Sequence, residues 1–127
     1  MTTDTDPFLE GGPLSGVKVL DLSRVLAGPF ASMILADLGA EIIKVEAWPD
    51  GDPTRVLKPE RGGASACFVQ QNRGKRSVRL DLRKPEAVEA VKRIVPHVDV
   101  VIGTAAITVR DCLKLRPRSV VKLRQTS

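Results

Sequence analysis

Short apolar runs alternate with amphipathic stretches over most of this 127-residue chain. Val17 to Leu22 carries Val17, Val19 and Leu20 behind a Pro13–Gly16 turn, which predicts a buried strand ending near Asp21. Ser23 to Pro29 reads as a turn. Phe30, Met33, Ile34 and Leu38 then recur at helical spacing on one face, with Gly39 placed to end the helix. Glu41 to Glu46 predicts a second strand. Residues 47–66, punctuated by Pro and Gly, predict one long loop, and Cys67 to Gln71 a short apolar segment. Ser77 to Leu82 alternates Val78, Leu80 and Leu82 with polar residues, as a third strand does.

Pro85, Glu86 and Glu89 suit the start of a second helix, whose buried face would be Ala87, Val88, Val91, Ile94 and Val95. Val98 to Ile102 predicts a fourth strand. The order β-α-β-loop-β-α-β predicts an α/β architecture with a parallel sheet joined by right-handed crossovers. The pattern then stops. Residues 103–127 keep no helical or strand period beyond a few residues, and residues 1–12 read as an acidic, disordered leader.

Charge sharpens that boundary. The chain carries a net +5, yet residues 103–127 hold six Lys and Arg against Asp111 alone, so the excess belongs to this stretch. A basic body for nucleic acid is therefore disfavoured, and the 3% aromatic content supplies few rings for base stacking. Cys67 and Cys112 are too few for a disulfide scaffold and, with the lone His97, have no metal-ligand spacing. No apolar run reaches the length of a membrane span, and the acidic N-terminus resembles no signal peptide. A reducing, cytoplasmic setting is expected.

Two stretches could carry chemistry. The turn from Ser23 to Pro29 joins a strand to a helix, where parallel sheets present unpaired N–H groups to anions, but it lacks a G-x-G-x-x-G or Walker pattern. The second stretch, Asn72 to Ser77 with Arg79, Arg83 and Lys84, gathers six cations able to hold phosphate oxygens or simply to face solvent. The carboxylates Asp21, Asp37, Glu46, Asp50, Asp52, Asp81 and Asp99 show no pairing that selects one for catalysis, so capping and turn roles are expected for them.

The blocks PLSGVKVLDLSRVLAGPFASMILADLGAEIIKVE, GDPTR, NRGKRSVRLDLRKPEA and VDVVI, in this order, are more specific than their parts. From about Pro13 to Ile102 the chain resembles the opening of class III (CaiB/BaiF-type) CoA-transferases, above all the succinyl-CoA-dependent dicarboxylate CoA-transferases. The resemblance implies a Rossmann-like parallel sheet with flanking helices. It would be incomplete here, residues 13–102 being the N-terminal part of a large domain and 103–127 a divergent basic tail of poor order.

It implies CoA contacts at Val25, Leu26, Leu80 and Arg83. An arginine that also holds CoA in relatives is replaced by Ala47, for which Lys75 and Arg76 are expected to compensate. The implied activity moves CoA from an acyl-CoA such as succinyl-CoA to a carboxylic acid, through an aspartyl intermediate. The aspartate concerned matches no position here, so no catalytic residue is assigned and the chain alone is expected to be inactive.

Coenzyme A or acyl-CoA enters as substrate, with the acid acceptor as second partner. No permanently bound cofactor, metal, nucleic acid or membrane is expected. The family's interlocked homodimer is not expected to form normally from this chain alone. A 2-methylacyl-CoA racemase-type activity and a stand-alone CoA-binding module are the alternatives. The coincident loss of resemblance and change of charge after Ile102 would fit an out-of-frame or misjoined tail.

Overall fold

A computed structural model describes residues 11–103 and, as backbone, the strand 119–122. The acidic leader up to Glu10 lies outside the described residues. So does the basic tail, apart from Gly103 and that strand.

The elements in order are β1 (Lys18–Asp21), α1 (Ala27–Asp37), β2 (Glu41–Ala47), a 3-10 turn (Pro53–Val56), β3 (Glu60–Arg61), β4 (Ala64–Ser65), α2 (Ala66–Asn72), β5 (Lys75–Leu80), α3 (Pro85–Ile94), a second 3-10 turn (Val95–His97), β6 (Val100–Gly103) and β7 (Ser119–Lys122). Five strands form one sheet in the order β5-β2-β1-β6-β7, every pair parallel. The predicted α/β parallel architecture is the one observed. The expected long loop contains more order than its composition suggests, because β3 and β4 pair as a small antiparallel hairpin next to the first 3-10 turn.

Strand alternation divides the core between the two sheet faces. Leu20, Val45 and Val101 pack with Val91, Val95 and Val98 on the α3 side. Val19, Ile42 and Ile102 pack with Ala40 on the other. α3 buries Val91, while Ala87, Val88 and Ile94 are only partly covered.

α1 departs from its predicted face. Met33 is buried, but Phe30, Ile34 and Leu38 are 47%, 41% and 40% exposed. The inward stripe is instead Gly28, Pro29, Ser32 and Met33. The cause lies beneath the helix: Asp21 is fully buried there and accepts a hydrogen bond from Ser32 Oγ. A large apolar stripe on that side would leave the carboxylate without this donor. The helix ends as expected at Gly39, whose φ is +101° and whose N–H donates to the Ala36 carbonyl at 3.0 Å.

Candidate functional site

β1 delivers Asp21 to the carboxyl end of the sheet, the edge where open parallel sheets bind ligands. Its carboxylate accepts from the Ser23 N–H at 2.8 Å, from the hydroxyls of Ser23 and Ser32, and from Lys75 Nζ at 3.2 Å. Lys75 also donates to the Pro29 carbonyl at 2.9 Å and to Asn72 Oδ1 at 3.0 Å. An ammonium has three donors, and all three are used. Burial pulls the Lys75 pKa below the usual lysine value, and the Asp21 charge opposes that shift. Lys75 therefore ties β5 to β1 and α1 instead of reaching for a phosphate.

A second buried network stands beside the first. Lys44 Nζ lies 2.9 Å from Asp52 Oδ2, with the two side chains 1% and 0% exposed, and donates to the Ser23 carbonyl at 2.9 Å. Asp52 accepts from the Thr54 N–H at 2.9 Å and the Thr54 hydroxyl at 2.8 Å. Burial alone would raise the Asp52 pKa, but the bonds from Lys44 and Thr54 hold it below the usual range. Glu46 follows the same logic. Burial pushes it up, yet Arg55, Ser77 and the Asp52 N–H together lower it to about 2.

These charges fix the turn after β1. The Val25 N–H points at both Asp52 oxygens, 3.4 and 3.3 Å away. Val25 has φ +72°, the one positive value at a non-glycine among the described residues. For a β-branched residue this conformation costs about 1–3 kcal/mol and persists only where the surroundings impose it. Gly28 closes the same turn: a Cβ there would lie 2.2 Å from Ser23 Cβ. A strained turn held by two buried ion pairs, with Val25 and Leu26 36% and 55% exposed, has the character of a preorganised binding loop.

Next to it a cavity of about 480 Å³ opens over the carboxyl ends of β1, β2 and β5, its lining including Ser23, Arg24, Ala47, Trp48, Leu80 and Arg83. Two of the expected CoA contacts, Leu80 and Arg83, thus meet at one cavity. Val25 and Leu26 stand in the adjoining turn, outside its lining. The proposed compensation for Ala47 does not hold geometrically, since Lys75 is consumed below and Arg76 pairs with Glu41 at 3.0 Å toward the other end of β2. Arg24 and the paired Lys44 are the further cations at the cavity, which Glu46, Asp52 and Asp81 also line.

Sequence reasoning missed Lys44, whose one signal is a lysine set between the apolar Ile42, Ile43 and Val45 of β2. Asp21, Glu46 and Asp52 are all engaged in structural bonds. No group of three His, Cys, Asp or Glu that could hold a metal occurs among the described residues. Nor is any described helix long and apolar enough to cross a membrane.

The model of CoA-transferase family III matches residues 14–125. The chain belongs to that family. The family III match runs past Ile102, where the resemblance read from the sequence ends. This chain is 47% identical over 91 residues to the human succinyl-CoA:glutarate CoA-transferase, a stretch covering 71% of this chain and 21% of the relative. It is 46% identical over 97 residues to the succinate–glutarate CoA-transferase of Agrobacterium fabrum, covering 71% and 24%. The crystal structure of a CaiB/BaiF family protein from Brucella suis superposes with a TM-score of 0.72 at 44% identity, covering 80% of this chain and 28% of that one. The family III chain thus spans about a fifth to a quarter of the curated relatives it matches.

Proposed function

We propose that this chain forms the CoA-binding part of a class III CoA-transferase, which moves CoA from an acyl-CoA such as succinyl-CoA to a carboxylic acid. The observation that carries the reading is the strained Val25 turn standing beside a cavity that Leu80 and Arg83 share. The transferase names of both relatives favour transfer over racemisation.

In this reading the turn offers the N-terminus of α1 to the anionic part of CoA. Arg83 takes a phosphate oxygen; its guanidinium is now held by Asp81 through Nε at 2.8 Å and Nη2 at 3.0 Å on an open surface, a contact that a phosphate can replace. The engaged carboxylates serve as positioning groups, and the transfer itself is assigned to an aspartate outside the matched positions.

Calorimetric titration of CoA into the full chain tests this. Arg83→Ala is expected to weaken binding about tenfold. Arg76→Ala, which removes a cation away from the cavity, should leave the affinity unchanged. Equal losses in the two variants would reduce the attraction to general charge and overturn the assignment.

A further inference from the structure

We propose that Trp48 is the stacking platform for the purine ring of CoA, an inference that rests on the CoA reading above. Trp48 is 59% exposed in a chain with a single tryptophan and 3% aromatic residues. It stands just past the β2–β5 register pair Ala47–Leu80, with its backbone N–H donating to the Leu80 carbonyl at 3.2 Å. Ala47, its neighbour in the cavity lining, has no side chain long enough to cover the indole.

The ring borders two adjoining hollows. One contains Arg24 and Arg83, the other Arg79 and Lys84. An apolar plane between two groups of cations matches a ligand that carries an aromatic ring next to several phosphates. An indole left this open gains from being covered, and a purine covers it with a flat face while leaving its phosphates free to reach the cations. Asp81 and Glu86 also border the second hollow, and Asp81 is held by Arg83. Carboxylates line the first hollow too, Glu46 bonded to Arg55, Asp52 to Lys44 and Asp81 to Arg83, so the exposed ring is the feature that sets this place apart.

The single tryptophan and absence of tyrosine make intrinsic fluorescence a local reporter of this residue. CoA and adenosine 3′,5′-bisphosphate are expected to quench it, and pantetheine, which lacks the purine, to leave it unchanged. By calorimetry, Trp48→Leu should bind CoA about tenfold more weakly, while Trp48→Phe stays close to the unsubstituted chain. Quenching by pantetheine as strong as that by CoA would place the acyl-carrying arm on the ring and overturn the proposal. CoA binding undiminished in Trp48→Leu, or lowered as much in Trp48→Phe as in Trp48→Leu, would also overturn it. Calorimetry separates the two failures: undiminished binding removes only the stack, whereas no CoA binding by the unsubstituted chain removes the CoA site with it.

Discussion

Replacing Lys44 by alanine is expected to destabilise the protein by about 3–5 kcal/mol, because it leaves Asp52 charged and buried with no counter-ion. Domains of this size have a total stability of only about 5–15 kcal/mol, so the loss is a large fraction. The Lys44–Asp52 pair is 2.9 Å long and almost wholly shielded from water, unlike the exposed Lys58–Glu60 and Arg73–Asp37 pairs, which contribute little. The Ser23 carbonyl would lose its donor as well. Thermal unfolding followed by circular dichroism should show a midpoint lower by at least about 10 °C. Lys44→Met combined with Asp52→Asn removes both charges and should recover part of the loss. No recovery in the double variant would mean that the damage comes from packing and not from a stranded charge.

Gly28→Ala should be nearly as severe, for a steric reason. The new Cβ would meet Ser23 Cβ at 2.2 Å and Ser23 Oγ at 2.4 Å, closer than carbon and oxygen can approach. Either α1 or the turn must shift, at a cost of about 3 kcal/mol, and the shift pulls Ser23 from Asp21. CoA affinity should fall with stability because the same turn carries Val25. The clash has a specific remedy: with Ser23 changed to glycine, the next atom is Ser23 Cα at 3.6 Å, an ordinary contact. Gly28→Ala with Ser23→Gly should therefore be more stable than Gly28→Ala alone in chemical denaturation. A double variant no better than the single one would contradict this account of the turn.

The central strands β1, β2 and β6 were legible because they are short apolar runs, as burial on both faces demands. The mostly exposed β5 starts two residues before the predicted Ser77, and β7 falls in a stretch where no strand was expected. The stripe of α1 was not legible. Helical periodicity points the large apolar residues inward, but here Asp21 needs hydrogen-bond partners more than the helix needs apolar contact. Ser32 and Gly28 consequently take the inward positions. Lys75 was misread for a related cause: in sequence a lysine between Gly74 and Arg76 resembles part of a phosphate grip, and only the fold shows its three donors already used. Lys44 and Asp52 lie eight positions apart across a strand end and a loop, with no local pattern to announce that they pair. Leu80 and Arg83 were expected as CoA contacts from the family resemblance alone; the register of β5 against β2 brings Leu80 to the cavity, and Arg83 follows three residues past the strand end.

Amide hydrogen exchange of the full chain, with and without saturating CoA, tests the location of the site most directly. The account predicts slowed exchange in two separate segments together, residues 23–28 of the β1–α1 turn and residues 80–84 after β5, with little change in α2. Protection confined to α2 and the hairpin of β3 and β4, with these two segments unaltered, would contradict it.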